Sequence, residues 1–218
     1  MSAGRRLALA AACLCWLTAA APACAQGLPL PAPGTYKLDR IFRAPFGVTS
    51  EGGMWPHLLS RDTEGAITLL SFFYTQCVDP LGCPLAWEAF GAVRAALQKR
   101  PALAARTRLA FYSFDPAHDG PALQLFAASY SAGAPPVWRF ITGWNDFFMR
   151  RTLSHFGQEI SPARNGDDGR VVIDHMLKVF LIDRAGWVRE IYTTGFLDPK
   201  AILGDIETLA LEEERARP

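Results

Sequence analysis

Three features of the sequence predict an α/β fold, a thioredoxin-like sandwich with helices on both faces of a mixed sheet. One is a strand–helix–strand unit between Ile67 and Phe114. Another is a strand hairpin from Arg170 to Thr193, and the third is a closing helix after Asp198. A strand, a crossover helix and a second strand make a parallel pair. The appended hairpin then makes the sheet mixed.

The chain begins with Met1 to Arg6, basic through Arg5 and Arg6, followed by a small-residue apolar run from Leu7 to Ala21. Ala23-Cys24-Ala25 fits a small-x-small cleavage site, so residues 1–25 read as an export signal cut after Ala25. The apolar run falls short of the roughly 20 residues that span a bilayer, which favours a signal over an anchor. A lipidated Cys24 is the minor alternative, and Ala21-Pro22-Ala23 ahead of it do not favour it. Export points to the periplasm, with inner-membrane association where the signal stays uncut. Residues 26–50 read as an extended N-terminal segment and 51–218 as the thioredoxin-like domain.

Cleavage would remove Cys13, Cys15 and Cys24, leaving Cys77 and Cys83 of the five cysteines. Two cysteines do not make a disulfide scaffold, and a chain of this length buries a core without one. The pair therefore serves chemistry or one local bridge. Without Arg5 and Arg6, 20 basic residues stand against 21 acidic ones. Phosphate binding needs a basic face, so nucleic acid is excluded as a partner.

From Tyr36 to Glu51 the pattern shows no clear period. Met54 to Leu59 and Ile67 to Tyr74 read as strands, separated by a turn at Arg61 to Gly65. Ile67 to Tyr74 is almost continuously apolar, as in a strand covered on both faces. Pro84 opens a helix, where its missing N–H costs nothing, and Leu85, Phe90, Val93 and Leu97 trace its apolar stripe. Leu109 to Phe114 is the next strand, Asp119 to Tyr130 a helix, Val137 to Ile141 a strand, and Trp144 to Phe156 a helix. Arg170 to Ile182 reads as one long strand, turned through Asp183-Arg184-Ala185-Gly186 into Trp187 to Thr193. Asp198 caps the last helix, which runs to about Arg215.

The stretch "SFFYTQCVDPLGCPLAWEAF" carries the chemistry. Parallel strands end at one sheet edge, so Cys77 after the first and Asp115 after the second should face one crevice. Cys83 sits at a helix N-terminus, where free N–H groups and the dipole favour a thiolate. Of the four histidines, His57 reads as surface, His155 as a helix histidine, and His118 as part of a turn beside Asp115. His175 interrupts the apolar strand "VVIDHMLKVFLI" behind Asp174. A polar pair there costs free energy unless it is hydrogen-bonded or ligating. Both roles remain open on that evidence alone.

Four segments in order resemble the Sco/SenC family of copper-handling proteins. They are "FFYTQC…CPLA", "YSFDPAHDGPALQLFAASY", "VWRFITG" and "IDHMLKVFLIDRAGWV", spanning about Ile67 to Leu209. The resemblance implies a thioredoxin-like fold, copper as the bound metal, and Cys77, Cys83 and His175 as its ligands. It also implies a role in maturing the copper centre of cytochrome oxidase, with a recipient copper protein, such as an oxidase subunit, as partner. Two thiolates and an imidazole suit Cu(I) by ligand softness. The family places three residues between its cysteines; here Val78 to Gly82 makes five. His118 stands where the family usually has arginine, and Met176 where it typically has serine. Strand alternation turns Met176 away from His175, so it reads as core rather than as a thioether ligand.

Three uses of the pair follow. A metallochaperone would bind copper through Cys77, Cys83 and His175. A thiol–disulfide oxidoreductase would use Cys77 and Cys83 as its catalytic residues, keeping a recipient's cysteines reduced while His175 stands by or tunes them. A static disulfide would pin the loop to the helix. They rank in that order. A peroxidase would need a lone activated cysteine with a supporting arginine, and none stands near Cys77 in sequence.

Overall fold

The computed structural model describes residues 30–51, 55–77, 79–130, 133–162, 164–166 and 169–216. The chain divides into Met1–Leu30 and Pro31–Pro218. The expected export signal at residues 1–25 lies outside the described residues.

The strands are Phe42–Arg43 (β1), Val48–Glu51 (β2), Pro56–Leu58 (β3), Ile67–Phe73 (β4), Thr107–Ser113 (β5), Val137–Gly143 (β6), Arg164–Asn165 (β7), Val171–Val172 (β8), Lys178–Ile182 (β9) and Trp187–Thr193 (β10). The helices are Ser60–Thr63 (α1), Cys83–Gln98 (α2), Pro101–Ala104 (α3), Pro116–Tyr130 (α4), Asp146–His155 (α5) and Pro199–Arg215 (α6). Among the described residues eight strands form one sheet in the order β1-β10-β9-β4-β5-β6-β2-β3, and β7 pairs with β8 apart from it. β4, β5 and β6 run parallel, while β9 lies antiparallel against β4. The mixed sheet with its β9–β10 hairpin and closing α6 is the thioredoxin-like arrangement that the order of elements predicts.

All seven residues of β4 are buried, which explains their continuous apolar run. Its last two residues show the two faces. Phe73 meets Phe111, which lies 4.4 Å from Phe90 of α2. Phe72 points the other way, against Tyr112, Phe156 and Phe180. Alternation along one strand thus packs both faces of the sheet. In the hairpin turn Gly186 takes a φ of +82°, a region that disfavours side chains. The Asp183 carboxylate accepts from the backbone N–H groups of Ala185 and Trp187 there. Asp198 caps α6 through Lys200 N, as the sequence indicates.

The structure departs from the sequence pattern at several points. Phe42–Arg43 and Val48–Glu51, in a stretch without visible period, supply β1 and β2. Short strands such as these are set by their partners rather than by their own pattern. The turn expected at Arg61 to Gly65 is largely the single-turn helix α1, with Asp62 buried against His57. Pro101 opens the short α3, and α4 begins at Pro116, placing Asp119 inside its first turn. The long strand expected from Arg170 to Ile182 is broken between β8 and β9. Residues 173–177 leave the sheet because other groups take their hydrogen bonds: Tyr74 Oη accepts from Ile173 N, Ser161 Oγ from Asp174 N, and the Met176 carbonyl from Gln158 Nε2.

Candidate metal centre

β4 ends at Phe73, and a turn closed by Cys77 N donating to Tyr74 O (3.2 Å) sets Cys77 just beyond it. Asp79 to Gly82 form a second turn, Gly82 N donating to Asp79 O at 2.9 Å and Leu81 N to Asp79 Oδ1 at 3.0 Å. Those turns return the chain so that α2 starts on Cys83, with Pro84 in its first turn. His175 reaches the same edge from the other side. β9 runs antiparallel to β4, Val179 opposite Ser71, so the approach to β9 lies beside the exit of β4.

The three side chains meet there. One ligand atom from each of Cys77, Cys83 and His175 lies within 4.8 Å of the other two, and Cys83 Sγ is 3.7 Å from His175 Nε2. His175 Nδ1 is 3.1 Å from Ile173 O. A carbonyl only accepts, so the ring N–H belongs on Nδ1 and the Nε2 lone pair faces the sulfurs. The ring sits edge-on to Phe114 at 4.9 Å and to Tyr74 at 5.8 Å.

The two thiols are inequivalent. Hydrogen bonding from the Cys83 thiol, opposed by burial and helped by the backbone amides of Cys83 and Asp79, lowers the Cys77 pKa to about 6. Its bond to Cys77, together with burial, raises the Cys83 pKa. The expectation that Cys83 would be the thiolate is thus reversed. The amide at the helix start favours a thiolate at both sulfurs, but Cys83, more deeply buried and beside the Cys77 sulfur, keeps the proton. Two sulfurs and an imidazole nitrogen at this spacing fit a soft cation of low coordination number. Both cysteines are free thiols, so the same pair can also close to a disulfide.

A family model described as SCO1/SenC matches residues 36–211. The chain belongs to the SCO1/SenC family. Among solved structures, ScoI of Bradyrhizobium japonicum with copper bound is 20% identical over 80% of this chain and 99% of that one, with a TM-score of 0.57. Apo Sco1 of Thermus thermophilus is 22% identical over 84% and 99%, with a TM-score of 0.60. Copper-bound ScoI of Arabidopsis thaliana is 15% identical over 78% and 99%, with a TM-score of 0.64. At these identities the likeness is one of fold. No curated protein sequence matches the chain.

Within this SCO1/SenC chain the remaining histidines stay outside the cluster. His155 is exposed at the end of α5, 3.1 Å from Arg43 O. His118 pairs with Asp115 at 2.8 Å from the first turn of α4, and that carboxylate raises its pKa. His57, read as surface, is instead mostly covered and bonded to buried Asp62 at 2.7 Å. Met176, read as core, is 63% exposed and lines a cleft of about 640 Å³ with His175, Glu159, Asp174 and Lys178. Strand alternation fails there because the residue lies in the break between β8 and β9. The sequence reading missed Tyr74, Phe114 and Asp119. Tyr74 was visible only as the end of an apolar run, and nothing local marks its hydroxyl as the acceptor for Ile173.

Proposed function

We propose that this protein is an exported copper metallochaperone, carrying copper as cargo on Cys77, Cys83 and His175 and handing it to a respiratory copper site of the cytochrome oxidase type. The observation that carries the reading is the convergence of two sulfurs and one imidazole within 4.8 Å from segments 92 residues apart. Membership of the SCO1/SenC family and the copper-bound relatives of the same fold support it. Three ligands leave copper open to a fourth from the recipient, so transfer can proceed by stepwise ligand exchange. Export through residues 1–25 places the protein in the periplasm.

Metal analysis of the reduced chain, wild type beside His175→Ala, tests this. The wild type is expected to retain about one copper per chain and to release it to an apo recipient domain with a vacant dithiolate site. His175→Ala is expected to retain far less. A wild type that holds no copper would overturn the reading.

The lowered Cys77 pKa favours one alternative, thiol–disulfide exchange. The Cys77 thiolate would attack a partner disulfide, releasing one partner thiolate. Deprotonated Cys83 would then attack the mixed disulfide, leaving the partner reduced and the Cys77–Cys83 pair oxidised. Reduction of a recipient disulfide that survives His175→Ala but not Cys77→Ser would favour this route.

A further inference from the structure

We propose that Asp119 is a positioning residue for the Cys77 side of the metal centre. Its side chain is fully buried and takes no part in the ligand cluster. Oδ1 accepts from Thr75 N at 2.9 Å and from the Thr75 hydroxyl, while Oδ2 accepts from Ser113 Oγ at 2.6 Å. One carboxylate thus ties the end of β5 to the residue two places before Cys77. Burying a carboxylate is costly unless donors surround it, and here three do. A place in the first turn of α4, with its N–H bonded to Asp115 O, adds the favourable end of the helix dipole.

Thr75 is also the residue after Tyr74, whose hydroxyl holds the His175 segment through Ile173 N. Residues 74 and 75 therefore pin the thiol turn to two different walls of the site. Without Asp119, Thr75 loses both its amide and its hydroxyl partner, and the turn carrying Cys77 is free to shift away from Cys83 and His175.

The test compares the wild-type chain with Asp119→Ala, Asp119→Asn and Thr75→Val. Cu(I) affinity is read by competition with a chromophoric chelator, below each variant's Tm. Asp119→Ala is expected to lose about 100-fold and Thr75→Val about tenfold, the range typical of groups that orient ligands. Asp119→Asn, whose amide oxygen still accepts from Thr75, should restore most of the loss. Wild-type affinity in folded Asp119→Ala overturns the proposal. Should that variant not fold, wild-type affinity in Thr75→Val overturns it.

The affinity readout rests on Cys77, Cys83 and His175 being the copper site. The reduction potential of the metal-free Cys77–Cys83 pair does not. It should become less negative in Asp119→Ala, because a loosened turn lowers the effective concentration of one thiol at the other. If the wild type holds no copper, the metallochaperone reading falls, and an unchanged potential would then overturn the positioning role separately.

Discussion

Cys83 Sγ lies 3.7 Å from His175 Nε2 with the Cys77 sulfur within 4.8 Å of both, and the two cysteines hold their protons unequally. Cys77, half-buried in the turn after β4, is the better thiolate. Cys83, buried at the start of α2, holds its proton. A cation binding to both must displace that proton, so metal uptake by this site is coupled to proton release.

Alkylation of the metal-free, reduced chain should show this asymmetry. The Cys77 rate with iodoacetamide is expected to rise with a midpoint near pH 6. Cys83→Ala removes the largest cause of the shift, so the midpoint should climb toward the ordinary thiol value of about 8.5. Mass spectrometry of the labelled peptides separates the two cysteines. An unmoved midpoint in Cys83→Ala would show that the neighbouring thiol is not the cause.

Stability should follow the same two shifts. Cys77 has a folded pKa below its unfolded one, so its contribution is present above the unfolded value and lost as pH falls through about 6. Cys83 has the opposite shift, so its contribution is present below its unfolded value and lost as pH climbs through its raised folded value. The metal-free, reduced chain should therefore gain Tm from about pH 6 to about 8.5 and lose it in strong alkali. A Cys77→Ser, Cys83→Ser double variant should have a flatter profile. Equal slopes in the two proteins would reject the assignment.

Much of this site is legible in the sequence, because its ligands sit on strongly patterned elements. The unbroken apolar run of β4 announces a central strand, Pro84 announces the helix after it, and Cys77 and Cys83 lie between them. His175 stands out as a polar residue in an apolar run. What is not legible depends on long-range partners. Nothing near Met176 says that the strand breaks there, because the break is made by Tyr74, Gln158 and Ser161. The order of the two thiol pKa values is hidden for the same reason. Helix starts favour thiolates in general, but which sulfur is the more deeply buried is decided by the path of Asp79 to Gly82. The same limit hides β1 and β2, strands of two and four residues whose register comes from β10 and β6.

Tyr74→Phe should weaken the join between thiol turn and histidine segment. The substitution keeps the ring contacts with Phe114 and His175 but removes the acceptor for Ile173 N, a residue 5% exposed. An N–H left unpaired at such a site costs about 1–3 kcal/mol. Urea denaturation of the metal-free chain should show that loss, and Cu(I) affinity should fall with it because His175 Nδ1 is anchored on Ile173 O. Stability equal to the wild type would mean that water replaces the hydroxyl at no cost.

Two glycines should respond to alanine with opposite signs. Gly143 ends β6 in the "VWRFITG" segment, where α5 crosses so closely that a Cβ would lie 2.6 Å from the N, Cα and Cβ atoms of Met149. Helix backbone cannot swing aside as a side-chain tip can, so Gly143→Ala must displace α5 or bend β6. Overpacking of this kind costs about 1–3 kcal/mol, and backbone contact puts it at the upper end. Thr142 Oγ1, which donates to Ser113 O at 2.9 Å, would be dragged with the strand, and Ser113 is the residue whose hydroxyl bonds Asp119. The strain therefore runs toward the metal centre. Gly91 lies inside α2 with nothing within 4 Å of a built Cβ, so Gly91→Ala should instead stabilise the chain by about 0.5–1 kcal/mol through reduced backbone freedom in the unfolded state. Urea midpoints moving the same way in both variants would show that the approach of α5 to β6 is looser than these distances require.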